Sequence, residues 1–159
     1  MAKTGDYLPK AYLQGKILDY KNAVLPLSTS ALQYGIGCFA GIRGYKQQDG
    51  SIGIFRLNEH TQRMIRSARI LHFDIDLTAE KIAEKVRELM KVNAPKNGTD
   101  VYIRPFIYKS DTSLGPRLKG EYDLGIYMLE LEEYLDTNKG LSVGVSSWIR
   151  VPDNAIPAR

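Results

Sequence analysis

Residues 33–45 read Gln33-Tyr34-Gly35-Ile36-Gly37-Cys38-Phe39-Ala40-Gly41-Ile42-Arg43-Gly44-Tyr45. Four glycines are interleaved with aromatic residues, the chain's single cysteine and an arginine. Glycine loses more backbone entropy on folding than any other residue. A cluster of it therefore marks left-handed backbone or a close approach of the main chain to something else. Two readings follow from these residues alone. One is a bent, bulged strand in an ordinary sheet; the other is a strand whose backbone leaves room for a flat ligand.

Working outward, Tyr12 to Leu18 divides into two short strands turning at Gln14-Gly15. Asn22 to Leu27 is an extended connection, since Pro26 disfavours helix in the residue before it. Ser28 or Ser30 is placed to cap a short helical turn through Ala31, Leu32 and Gln33. Beyond the glycine-rich strand, Gln47-Gln48-Asp49-Gly50 predicts a hairpin turn and Ile52 to Phe55 the returning strand. The hydrophobic period then changes. Met64, Ile65, Ala68 and Leu71 recur at helical spacing after Asn58 as N-cap, with Arg63, Arg66 and Arg69 off that stripe. A second helix follows Thr78, with Ile82, Val86, Leu89 and Met90 on one face, and ends near Asn93 before Pro95. Three strands complete the pattern, Val101–Tyr108, Tyr122–Leu131 and Leu141–Trp148. Strands flanking two consecutive helices give an α+β domain with a mostly antiparallel sheet and two helices packed on it.

Composition bounds the function. A chain of 159 residues with 43% apolar and 25% charged residues fits one soluble globular domain. The net charge of +4 is dispersed, so nucleic acid is not indicated as a partner. The apolar runs fall short of the roughly 20 residues that span a bilayer, so no membrane role is expected. A single cysteine, Cys38, suits a reducing cytoplasm and reads as inert packing. His60 and His72 stand twelve apart without a further ligand pattern, which leaves no metal site. No nucleophile motif accompanies His60, and it reads as a surface or cap residue.

Several motifs follow one another along nearly the whole chain: Leu32-Gln33-Tyr34-Gly35, then Cys38 to Tyr45, then Phe55-Arg56 with Glu59-His60 and Arg63. Val101-Tyr102-Ile103-Arg104-Pro105 and Ser146-Ser147-Trp148-Ile149-Arg150 come next. Together they resemble the branched-chain amino acid aminotransferases, pyridoxal 5'-phosphate enzymes of fold type IV. The resemblance implies the small N-terminal domain of that fold over residues 1–149, with residues 150–159 starting the interdomain linker. It implies Arg63 as the ligand of the cofactor phosphate, a role that suits the donor fork of a guanidinium. Phe39 matches an aromatic wall of the substrate pocket and Tyr34 one that reaches a neighbouring subunit's site. Tyr102 matches a tyrosine near the substrate carboxylate, and Arg104 the arginine that recognises the distal carboxylate of glutamate. Tyr134 matches a further pocket tyrosine. Residues 102 and 104 share a face if they lie on a strand. Without the resemblance, Arg63 reads as a solvated helix residue, and Arg104 as a brace paired with an acid such as Asp123.

The expected activity is amino-group transfer between leucine, isoleucine or valine and 2-oxoglutarate, yielding glutamate and branched 2-oxo acids, in a homodimer or higher homo-oligomer. The alternatives are a D-amino-acid aminotransferase, an aminodeoxychorismate lyase, or a binding module without catalysis. Two departures stand out. Ala40 occupies a position where the family usually has glutamate. The Schiff-base lysine is expected just beyond Arg159, with the larger cofactor domain, so residues 1–159 alone are expected to be inactive.

Overall fold

The computed structural model describes residues 5–95, 98–115, 119–131, 140, 142–149, 151–152 and 154–155. Strands β1 (Lys10–Leu13) and β2 (Lys16–Asp19) form the first hairpin. Its turn uses Gln14 at φ 50° and Gly15 at φ 79°, the left-handed pair that matches the twist of a two-residue hairpin. A single 3₁₀ turn (Tyr20–Asn22) and an extended segment lead to α1 (Ser30–Tyr34). The residue in the cap position of α1 is Thr29, not Ser28 or Ser30, and its hydroxyl donates to the Pro26 carbonyl at 2.6 Å. Gly35 closes α1 at φ 67°, a left-handed stop that glycine adopts without a steric penalty.

The glycine-rich stretch forms β3 (Gly37–Phe39) and β4 (Ile42–Lys46), and both pair with β6 (Asp100–Lys109). Phe39 lies opposite Phe106 and Ile42 opposite Ile103, so the register continues unchanged across the gap. The bulge anticipated from the glycines is therefore absent. The interruption has another cause: the Ala40 amide donates to the Pro105 carbonyl at 3.0 Å, but proline has no N–H to return the second bond. Strand β5 (Ile52–Ile54) returns on β4 after the turn at Gly50, φ 81°.

Helix α2 (Leu57–Ile70) starts two residues earlier than an Asn58 cap would place it. Arg56, at φ 48°, is the N-cap and makes no side-chain cap bond, while Asn58 lies inside the helix and accepts a bond from Arg87 at 3.3 Å. At the other end Leu71 is the half-exposed C-cap rather than part of the buried stripe. His72 takes the left-handed position at φ 56°, with its N–H donating to the Arg69 carbonyl and that of Phe73 to the Ala68 carbonyl. This bond pair terminates the helix in a Schellman turn, so His72 serves as a cap. Helix α3 (Ala79–Val92) begins where its signals place it. The Thr78 hydroxyl accepts from the Lys81 amide at 3.2 Å. It ends at Asn93, whose buried side chain donates to the Lys10 carbonyl at 2.7 Å and accepts from the Lys10 amide at 2.9 Å.

Ten residues of β6 pair with ten of β7 (Tyr122–Leu131), and the seven-stranded antiparallel sheet runs β2-β1-β7-β6-β4-β5 with β3 beside β6. Val101, Ile103, Ile107, Leu124, Ile126 and Met128 face the two long helices and pack with Met64, Ala68, Ile82, Val86 and Leu89 in one core. The alternate residues Tyr102, Arg104, Phe106 and Tyr127 occupy the opposite face, away from α2 and α3. The α+β architecture with two long helices on one side of an antiparallel sheet is thus as read from the sequence, with α1 as a short addition.

One strand is not as expected. Leu141 lies outside the described residues, and residues 142–149 form no strand. Val143, Val145 and Trp148 are 84%, 103% and 90% exposed. Alternation and β-branching supply propensity there, but a strand exists only against a partner edge. No helix among the described residues is long and apolar enough to cross a membrane.

These contacts set a stability ranking. Ile103→Ala, at a fully buried site, should destabilise by about 2–5 kcal/mol. Thr78→Ala should cost about 1 kcal/mol through the lost cap. Val145→Ala should stay within about 0.5 kcal/mol. Urea unfolding midpoints for the three variants check the order.

Candidate functional site

The open face of the sheet gathers three of the sequence-predicted residues, Phe39, Tyr102 and Arg104. Arg104 Nη2 donates to Tyr102 Oη at 2.6 Å and Nε donates to the same oxygen at 3.2 Å. Residues two apart on a strand point the same way, which brings the guanidinium to the phenol. The guanidinium carbon also lies 4.3 Å from the centroid of the Phe39 ring and 5.2 Å from that of Tyr102, so aromatic faces add cation–π attraction. Gly41 makes the arrangement possible. A Cβ there would stand 2.5 Å from Tyr102 Oη and 3.2 Å from its ring carbons. The room left by this glycine is filled by the chain's own tyrosine rather than lying open.

Arg104 pairs with no carboxylate among the described residues. Its cross-strand neighbour is Tyr127, and Asp123 lies four residues away along β7, opposite Tyr108. The brace to Asp123 is therefore excluded. Tyr127 is a site residue that sequence reading missed. Alternation along β7 gives its parity, but only the β6–β7 register, set across a long connection, places it beside Arg104.

Beside this cluster is an open depression of about 480 Å³, lined by Ala31 and Leu32 of α1 together with Phe39, Arg104, Phe106 and Tyr127. Its walls are largely apolar and Arg104 is the cation among them. Phe106 reaches over β7 because Gly125 leaves the space its ring occupies. Cys38 also borders the depression; burial pushes its thiol up to about 11, which keeps it protonated and agrees with inert packing.

Tyr34 and Arg63 lie apart from the cluster. Tyr34 projects from α1, 41% exposed, and its Oη accepts from the Gly115 amide at 2.9 Å. Arg63 is on the exposed side of α2, with its Nη2 3.5 Å from His60 Nδ1 and no carboxylate partner among the described residues. Burial is the largest influence holding His60 below its ordinary range, followed by the Arg63 charge. The next residue, Met64, accepts a 3.9 Å contact from Cys38 Sγ through its carbonyl, so this turn of α2 lies beside β3. Tyr134 lies outside the described residues. Ala40 is 1% exposed in the core under the helices. No group of three or more metal-binding side chains occurs among the described residues.

The family model for amino-transferase class IV matches residues 37–159. The chain belongs to the amino-transferase class IV family. It is 39% identical over 96% of its length to a probable branched-chain-amino-acid aminotransferase of Synechocystis, of which it covers 50%. The class IV fold is equally clear in solved structures. A branched-chain aminotransferase from Thermoproteus uzoniensis with norvaline superposes with a TM-score of 0.85 at 32% identity, over 96% of this chain and 50% of that one. The branched-chain amino acid aminotransferase of Escherichia coli gives 0.82 at 30% identity, over 94% and 50%. This class IV chain thus spans about half the length of the relatives it matches.

The Tyr102 hydroxyl is the polar anchor of Arg104 in this class IV domain. Tyr102→Phe should speed solvent exchange of the Arg104 Nε–H by about tenfold, the equivalent of one ordinary hydrogen bond. Nitrogen-detected exchange spectra read this directly, and an unchanged rate would show that the phenol does not hold the guanidinium.

Proposed function

We propose that this chain is the smaller, N-terminal domain of a branched-chain amino acid aminotransferase, with the domain spanning residues 1–149 and the interdomain link beginning at 150–159. The whole enzyme moves an amino group between leucine, isoleucine or valine and 2-oxoglutarate, works in the cytoplasm, and is a homodimer or higher homo-oligomer. The observation that carries this reading is one cation, Arg104, held by a phenol and two aromatic faces at an otherwise apolar hollow. A pocket that accepts both leucine and glutamate needs apolar walls and one placed positive charge. The named relatives are branched-chain enzymes, which favours this reading over a D-amino-acid aminotransferase or an aminodeoxychorismate lyase.

The residues present fit pyridoxal 5'-phosphate in one respect that this chain can supply. Arg63 offers an exposed guanidinium with no carboxylate partner among the described residues, a donor set suited to a phosphate. When bound, the cofactor supplies an electron sink for charge at the substrate's α-carbon. Arg63 anchors the phosphate, Phe39 and Tyr127 wall the side-chain pocket, and Tyr102 stands near the substrate carboxylate. Arg104 receives a distal carboxylate, Tyr34 serves the neighbouring subunit's site, and Tyr134 is a further pocket tyrosine by resemblance. The Schiff-base lysine falls beyond Arg159 in this reading. The exposed apolar residues Val24, Leu27 and Leu114, at 71%, 82% and 86%, support a face that another domain or subunit covers.

Titrating the full-length apoenzyme with pyridoxal 5'-phosphate tests the proposal. Loss of a charge-assisted phosphate bond in Arg63→Ala removes about 1.5–3 kcal/mol, so affinity should fall roughly tenfold to a hundredfold whichever amino acid is used. An unchanged affinity would return Arg63 to the role of a solvated helix residue.

A further inference from the structure

Lys109, at the end of β6, is a fully buried side chain. Burying an ammonium is costly unless the group is paired and hydrogen-bonded. Its Nζ is 3.5 Å from Asp111 Oδ2 and donates to the Lys119 carbonyl at 3.3 Å. Asp111 Oδ1 accepts from Ser30 Oγ at 2.7 Å and from Ser113 Oγ at 3.0 Å. The main-chain carbonyl of Asp111 accepts the Ser30 amide at 2.9 Å, and the Ser110 amide donates to the Glu121 carbonyl at 2.8 Å. One polar node therefore ties together the first residue of α1, the end of β6, and both feet of the connection that follows. Gly120 is a condition of the node, because a Cβ there would strike Asp111 Oδ2 and Lys109 Cε.

The far end of α1 is tied to the same connection, through the bond from the Gly115 amide to Tyr34 Oη. Helix α1 is thus fastened at Ser30 and again at Tyr34, five residues in all. Hydrocarbon of similar volume would fill the space of Lys109 without desolvating a charge. An ion pair with several hydrogen bonds differs from such a filling in being directional. It holds α1 in one position relative to the loop, and α1 supplies Ala31 and Leu32 to the wall of the depression beside Arg104.

We infer that Lys109 and Asp111 are positioning residues that set α1 and Tyr34 against the Gly115 loop and so fix the substrate-facing wall. This rests on the reading that Tyr34 and the depression serve substrate binding. In the full-length enzyme, Lys109→Met removes the charge at similar volume, and Ser30→Ala removes only the hydroxyl bond from α1 to Asp111, leaving the Ser30 amide bond in place. The readouts are hydrogen exchange at the Gly115 amide, and KM and kcat for leucine and 2-oxoglutarate. Lys109→Met should speed Gly115 exchange by about tenfold or more, as local opening of the loop becomes easier. KM should rise about fivefold or more with kcat within about twofold, the pattern of lost binding rather than lost chemistry. Lys109→Arg, which keeps the charge, should recover part of both effects, and Ser30→Ala should show the same changes at smaller size. If Lys109→Met lowers the melting temperature but leaves Gly115 exchange and KM unchanged, the inference is overturned. Where Lys109→Met does not fold, unchanged exchange in Ser30→Ala overturns it equally. Tyr34→Phe separates the inference from the reading beneath it. If that variant leaves KM unchanged while Lys109→Met still speeds Gly115 exchange, the node positions the loop and the substrate role of Tyr34 is what fails.

Discussion

The pairing of β6 with β7 fixes everything described above. Ten consecutive residues on each strand are held in one antiparallel register, and side chains alternate, so that register decides which residues share a face. One parity carries Val101, Ile103, Ile107, Ile126 and Met128 into the core beneath α2 and α3. The other carries Tyr102, Arg104, Phe106 and Tyr127 to the face away from those helices. A slip of one residue would exchange the two sets and put a guanidinium into the hydrophobic core. The core therefore enforces the site from the other side of the sheet.

Much of this was legible in the sequence because the signals are local. Gln14-Gly15 and Gly50 have the left-handed backbone their turns require. Thr78 caps α3, and Asn93 ends it by bonding to β1. Tyr102 and Arg104 could be placed on one face from a spacing of two. What was not legible depends on distant partners. The apolar pattern could not show that Arg56, in a left-handed conformation, precedes α2 in place of an Asn58 cap. Pro105 explains the break between β3 and β4, but only once it is known to lie opposite Ala40. Residues 142–149 carry strand propensity without an edge to join. Tyr127 beside Arg104, and Lys109 beneath the loop, follow from tertiary packing alone, and a lysine in sequence reads as a surface residue.

The charges on the two sides of the sheet do different work. On the helix side Arg63 remains exposed and suited to an anion. On the open side Arg104 sits against aromatic faces, where a desolvated partner of opposite charge gains most. The Lys109–Asp111 pair is of a third kind, satisfied within the chain and directed at geometry. In the function proposed above, Arg104 would contribute side-chain recognition and Arg63 a phosphate anchor.

The most direct test of the account is selectivity at Arg104. In the full-length enzyme, Arg104→Ala should raise KM for glutamate and 2-oxoglutarate, because truncating one partner of a desolvated charge pair costs about 2–5 kcal/mol. Leucine carries no charge at that point, so the ratio of kcat/KM for leucine to that for glutamate should rise by more than about tenfold, one decade being about 1.4 kcal/mol. The melting temperature should change little, since Arg104 braces no carboxylate among the described residues. A parallel loss of both activities together with a lower melting temperature would contradict the account and make Arg104 part of the scaffold.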